Sequence, residues 1–264
     1  MEKAVHEGKI NLSWINPNPE YSESLRRFVG RILSPGTAAK PNNFLRLMHE
    51  FVPRLAWFGV LNSLAETLLK LTSPGVPDIY QGQELFDFSL VDPDNRRPVD
   101  FATAERYLQE LERREAGPEL CRELLAHWTD GRLKLWITHR ALRMRGEARE
   151  LFCQGDYAAL AVVGERREHV VAFVRRHGES AALVAVPRLN FTMLNGEPRL
   201  ARAEDWGDTR LRVPQELCGR QLRNALTGES VTVKNIQGMP SVENGGELLC
   251  SEVFASFPVT LLIA

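Results

Sequence analysis

The most chemical-looking stretch of this 264-residue chain is Asp92-Pro93-Asp94-Asn95-Arg96-Arg97. It places two carboxylates, an amide and two guanidiniums on one proline-flanked segment. Planar polar groups of this kind donate and accept paired hydrogen bonds, as binding of vicinal sugar hydroxyls requires. The same residues also suit a solvated turn closed by internal ion pairs, with Arg96 or Arg97 only bracing the loop. Asp92 and Asp94 read as turn or capping residues rather than an acid/base pair. Carboxylates that cleave glycosidic bonds must sit at least about 5 Å apart across the bond.

Two further groups border this reading. Tyr80, Gln81 and Glu84 follow a short apolar run, Asp78-Ile79-Tyr80. Tyr80 is a candidate for stacking on a pyranose ring or for packing alone, and Glu84 for a sugar hydroxyl or an arginine partner. Trp14, beside Asn16, Pro17 and Asn18, is either a sugar platform or a core residue. The six histidines (His6, His49, His127, His139, His169, His177) lack metal-site spacing, so no metal site is expected. No glycine-rich phosphate motif occurs, and no cofactor is expected. Arg140, Arg143, Arg145 and Arg149 read as a solvated helix face rather than a nucleic-acid site.

The elements that must position these groups change character near residue 153. Glu2–Gly8 reads as helical but has no capping residue ahead of it, an expectation of a piece of a longer protein. Asn18-Pro19 starts a helix through Leu25, Phe28, Val29, Ile32 and Leu33, which Pro35-Gly36 stops. A second helix spans about 42–72, kinked or restarted at Pro53 and apolar on most sides beyond Leu55. Ser73–Pro77 breaks it, and Asp78–Tyr80 reads as one buried strand, followed by a long loop to about residue 102. Helix, turn, strand and long polar loop in that order fit the last unit of a (β/α)₈ barrel. Helices follow at about 103–113, 119–128 and 132–145. Beyond them, runs at 157–163, 169–175, 181–186, 230–234 and 258–263 read as strands between glycine turns, Gly245-Gly246 among them. The expected fold class is therefore α+β: a mostly helical barrel portion over residues 1–152, then a small antiparallel β-sandwich over 153–264.

Composition limits the function classes. Lys plus Arg number 33 against 34 Asp plus Glu, so no nucleic-acid or anionic-membrane partner is expected. No apolar run is long enough to span a membrane. Cys121, Cys153, Cys218 and Cys250 have no C-x-x-C spacing and read as scattered reduced core residues of a cytoplasmic protein.

The segment PGVPDIYQGQE (residues 74–84) resembles, from Gly75 to Glu84, the G-x-P-x-x-Y-x-G-x-E pattern at the eighth barrel strand of the α-amylase superfamily. Its continuation FDFSLVDPDNRRPVDF is narrower. With NSLAETLLKLTSPGVPDIYQG and KINLSWINPNPEY upstream, it resembles the maltooligosyltrehalose synthases, strongly over residues 3–108 and more weakly through the tail. Phe86 stands where tryptophan is expected and Glu66 where glutamine is; Phe86 bears on a sugar contact.

The resemblance implies an enzyme that turns the reducing-end α-1,4 linkage of a malto-oligosaccharide into an α,α-1,1 linkage. It also implies a retaining mechanism with an Asp nucleophile, a Glu acid/base and a second Asp, carried on barrel strands 4, 5 and 7. No histidine-aspartate pair matches the family's strand-7 segment, so no residue here is assigned a catalytic role. The acids are expected in a missing N-terminal barrel part, and this chain alone is expected to be inactive. Tyr80, Gln81, Glu84, Asp92, Asp94, Asn95, Arg96, Arg97 and Trp14 remain substrate-binding candidates. An incomplete barrel is expected to expose apolar surface around Leu64, Leu68 and Ile79. A non-catalytic carbohydrate-binding module and another amylase-superfamily enzyme are the alternatives.

Overall fold

The computed structural model describes residues 1–37, 40–90, 92, 94–236 and 245–264; Val91 and Pro93 of the polar loop lie outside the described residues. The chain divides into two compact units, Met1–Ala56 and Trp57–Ala264, and the division falls inside a helix.

The first unit holds α1 (Glu2–Gly8), α2 (Pro19–Leu33) and the start of α3 (Asn43–Thr72). Asn18 caps α2 as its sequence position implies: Oδ1 accepts from the Tyr21 N–H at 3.0 Å, satisfying one orphan donor of the first turn. Asn42 links α2 to α3. Its amide donates to the Ile32 and Ser34 carbonyls at 2.7 and 2.8 Å, and its Oδ1 accepts from the Leu45 N–H at 3.1 Å. Pro53 removes one donor from the α3 ladder without ending the helix, so α3 is continuous over 30 residues.

In the second unit α3 buries Val60, Leu61, Leu64, Leu68 and Leu71. It is followed by α4 (Phe101–Glu112), α5 (Pro118–Ala126), α6 (Arg132–Glu147) and α7 (Arg149–Cys153). The tail then forms two antiparallel sheets. The larger has the order β1 (Asp156–Ala159), β3 (Val170–His177), β4 (Ser180–Pro187), β10 (Thr260–Ile263), β6 (Gln221–Asn224), β7 (Ser230–Thr232). The smaller has the order β2 (Val162–Val163), β5 (Arg210–Pro214), β9 (Gly245–Leu249), β8 (Lys234–Asn235).

Alternation along the larger sheet separates two cores. Phe173, Val184, Val186 and Leu261 pack with Leu64, Leu68, Leu133 and Trp136 of the helices. Ala172, Leu183, Ala185 and Leu262 pack with Leu211, Val213 and Leu248 of the smaller sheet. Strand β4 is thus covered on both faces, and its sequence is accordingly an almost unbroken apolar run. The fold class is the one expected, a helical portion followed by an antiparallel β-domain.

Four local expectations need correction. Asp78–Tyr80 forms no strand; Ile79 is half-buried and its neighbours are exposed. A strand exists through its ladder partners, and none pairs with it among the described residues. Leu64 and Leu68 are wholly buried rather than exposed, because α6 and the larger sheet cover them. Gly245-Gly246 begins β9 instead of making a turn: a Cβ on Gly246 would collide with the Val233 side chain and sit 3.1 Å from the Lys234 carbonyl oxygen of β8, so glycine permits the close strand approach. Arg140 and Arg145 do not form a solvated face. Arg140 Nε donates to the Ala225 carbonyl at 2.8 Å, and Arg145 donates to the Leu71 and Gly75 carbonyls at 2.9 and 3.0 Å. Arg143 instead pairs with Glu147 one turn along. Cys121 and Cys250 are core residues, whereas Cys153 is exposed.

Candidate functional site

The loop between α3 and α4 folds back on itself. Gly82 adopts φ +85° with Val99 methyls 3.1 Å from where a Cβ would stand, so the loop's two limbs touch there. The Gln83 N–H closes a turn on the Tyr80 carbonyl at 3.0 Å. Asp87 accepts from the Ser89 N–H at 2.9 Å and from its hydroxyl at 2.6 Å, an Asx-type turn. These bonds, aided by the charges of Lys134 and Arg97, hold the Asp87 carboxyl below the usual carboxylate range. Asp94 Oδ2 accepts from the Leu90 N–H at 2.7 Å, and its Oδ1 pairs with Arg97. Asp92 pairs with Arg96 at 2.9 Å. Asp100 caps α4, accepting from the Thr103 N–H and hydroxyl at 3.0 and 2.7 Å, which keeps its carboxyl below the usual range.

These turns enclose an open cleft of ≈ 630 Å³. Gln81, Glu84, Asp94, Asn95 and Arg97 all line it, together with Phe86, Phe88 and Asp100. Phe86 and Phe88 lie roughly parallel, with ring centroids 6.0 Å apart at 22°, and Phe88 is largely exposed. An apolar ring surface beside carboxylates, amides and a guanidinium suits a polyhydroxylated ligand, whose C–H faces pack on rings and whose hydroxyls bond planar polar groups.

The remaining candidates separate. Tyr80, Asp92 and Arg96 are not among the cleft-lining residues. Trp14 belongs to the first unit, where its ring stacks on His6 at 4.1 Å and its Nε1 donates to Glu7 at 2.9 Å. Phe88, Asp87 and Asp100 are lining residues that reading by type passed over. The Asp100-x-x-Thr103 spacing at a helix start was a visible signal for the cap; nothing in sequence marked Phe88. Among the described residues no group of three metal-binding side chains gathers. No helix of the described residues is long and apolar enough to cross a membrane.

No protein-family model matches the chain. Proteins from two strains of Mycobacterium tuberculosis, each named provisionally as a maltooligosyl trehalose synthase, are 32% identical over 262 residues; the match covers 99% of this chain and 27% of theirs. The structure of maltooligosyltrehalose synthase from Arthrobacter ramosus aligns with a TM-score of 0.72 at 33% identity, over 99% of this chain and 29% of that one. A crystal structure of another maltooligosyl trehalose synthase aligns with a TM-score of 0.68 at 25% identity.

Over nearly its whole length the chain is similar in sequence and fold to part of the maltooligosyltrehalose synthases. It spans 27–29% of the length of the relatives it matches.

Proposed function

We propose that this chain is part of a longer enzyme that rearranges the reducing-end α-1,4 linkage of malto-oligosaccharides to an α,α-1,1 linkage, as in trehalose biosynthesis. Residues 1–152 would supply the trailing part of its catalytic barrel and 153–264 its β appendage. The observation that carries the reading is the convergence of Gln81, Glu84, Asp94, Asn95 and Arg97 with the Phe86–Phe88 pair on one cleft. In this reading the cleft binds saccharide and no residue of the chain breaks the bond. Asp92 and Asp94 are each engaged by an arginine, which suits bracing better than acid/base work. In this reading the bond-breaking carboxylates and the strands that flank Asp78–Tyr80 belong to polypeptide ahead of this segment. Exposed apolar residues on the first half of α3, Phe44, Leu47, Phe51, Val52 and Leu55, are suited to pack against that polypeptide.

The test is product analysis with maltoheptaose. The chain alone is expected to yield no trehalose-capped product, and the chain joined to the preceding part is expected to yield it. Turnover by the pure 264-residue chain would overturn the reading. A stand-alone carbohydrate-binding role for the β-domain has less support: Trp206, its only tryptophan, is buried against Phe254 and offers no exposed stacking face.

A further inference from the structure

Lys134 has no place in the sugar-binding reading, and its position asks for an explanation. It lies in the first turn of α6, where the helix dipole disfavours a cation. Its ammonium is half-buried, and burial pulls its pKa below the usual lysine range, with neighbouring Lys70 adding to the effect. Two unfavourable settings at one side chain imply compensation nearby. The compensation comes from the cleft loop: Nζ donates to the Leu85 carbonyl at 3.2 Å and stands 5.9 Å from the Phe86 ring centroid. The carboxylates of Asp87, Glu84 and Glu66 face it with opposite charge.

The contact is reinforced by backbone shape. Gly131, just ahead of α6, adopts φ +86°, and a Cβ there would meet Leu85 Cβ at 3.1 Å and the Phe86 nitrogen at 3.4 Å. The loop therefore lies directly on the start of α6, and among the described residues Lys134 is the side chain of that helix turn that bonds its backbone. Leu85 and Phe86 sit between Glu84 and Phe88, so what fixes Leu85 also fixes both the acid and the ring pair of the cleft.

We propose that Lys134 is a positioning residue of the cleft, anchoring residues 84–88 through the Leu85 carbonyl so that Glu84 and the Phe86–Phe88 pair are presented together to saccharide. The proposal rests on the saccharide reading above for its ligand, but not for its anchor. It is distinct from general stabilisation, because Lys134 bonds the loop and not the helical core.

The experiment is hydrogen–deuterium exchange of the 264-residue chain, with maltoheptaose binding measured by calorimetry on the same samples. The amides of Gln83, Ser89 and Leu90 are hydrogen-bonded within the loop and report its order. In Lys134→Met they are expected to exchange about tenfold faster, the equivalent of one lost charge-assisted hydrogen bond. Strands β3 and β4 are expected to keep the parent rate, and maltoheptaose affinity to fall by a comparable factor. Lys134→Arg, which keeps the charge and the reach, is expected to restore both. Lys134→Gln carries the same comparison should the methionine variant not fold. Unchanged loop exchange in Lys134→Met overturns the anchor, as does faster exchange spread evenly through β3 and β4. If Lys134→Met speeds loop exchange as expected while the parent chain binds no maltoheptaose, the anchor stands and the saccharide reading of the cleft is overturned.

Discussion

Arg175 offers the sharpest test of how the second unit is held together. It lies in β3 and is 2% exposed, and among the described residues no carboxylate is bonded to it. Its guanidinium instead reaches four backbone carbonyls: Asp156 from Nε at 3.2 Å, Thr72 from Nη1 at 3.2 Å, and Phe152 and Gly155 from Nη2 at 3.0 and 2.9 Å. Thr72 ends α3, and Phe152 lies in the last turn of α7, so two of these acceptors belong to helix C-termini whose orphan carbonyls attract a cation. Burial lowers the pKa of the guanidinium from its usual value. In Arg175→Met four charged hydrogen bonds are lost, each worth about 1.5–3 kcal/mol, and the carbonyls remain in a site closed to water. Relief from burying the charge returns several kcal/mol, and methionine retains much of the stem's packing. The net loss expected is about 3 kcal/mol, within the range found when one partner of a buried polar arrangement is removed. For a unit of about 200 residues that corresponds to a fall in Tm of about 6–12 °C. Circular dichroism melts of the parent, Arg175→Met and Arg175→Lys give the readout, with lysine falling between the others because it keeps the charge but not the fork. A methionine variant melting within about 2 °C of the parent would refute the argument that these carbonyls depend on Arg175.

Other predictions follow from single contacts. Leu64→Ala, at a wholly buried site among Leu68, Leu133 and Trp136, is expected to lose about 2–5 kcal/mol in urea unfolding, whereas Leu55→Ser, more than half exposed, shifts stability by less than about 0.5 kcal/mol. Burial pulls His139 below 6.5, so the unfolded chain takes up that proton first as pH falls. Stability is therefore expected to decline as pH drops below 6.5, and His139→Gln is expected to flatten that slope in melts recorded across the window. Asp205 is held below the carboxylate range first by Arg199 and also by the Arg202 N–H at 2.6 Å. Its stabilisation is present above 3.8 and is lost as pH falls through the depressed folded value. Asp205→Asn is accordingly expected to lower Tm at pH 7, with the gap to the parent closing in strong acid.

What could be read from sequence was whatever local chemistry decides. Asn18-Pro19 announced α2 because a cap and a first-turn proline act within four residues. The polar loop was legible as a candidate site because its residue types, not its partners, define what it can bond. The cleft brought together five of the nine candidates; Tyr80, Asp92 and Arg96 fall outside its lining, and Trp14 lies in the other unit. What sequence missed depends on distant contacts. Strands β5, β6 and β9 are short, each mixes polar or glycine positions with only one or two large apolar residues, and only their pairing reveals them. Phe88 and Lys134 gain their roles from a loop folding onto a helix about 45 residues further on, a closure that no window of local pattern contains.

Asp78–Tyr80 makes the same point in reverse. Its sequence has the apolar centre and the flanking signals of a buried barrel strand, yet it forms no ladder and leaves Tyr80 45% exposed. Strand character is a property of a pair, since each residue's N–H and C=O must find a neighbour about 4.8 Å away. The helices on its chain neighbours do form, because α3 and α6 bury their own faces against the larger sheet without help from a barrel. The expectation of exposed apolar surface at Leu64 and Leu68 failed for that reason: α6 and the larger sheet cover them. In the proposed reading the segment lacks only its ladder, which polypeptide ahead of this chain would supply. If so, joining the chain to the preceding part of a relative should slow exchange at the Ile79 and Tyr80 amides far more than anywhere in β3 or β4. Unchanged exchange at those two amides would mean that the segment is not a barrel strand at all.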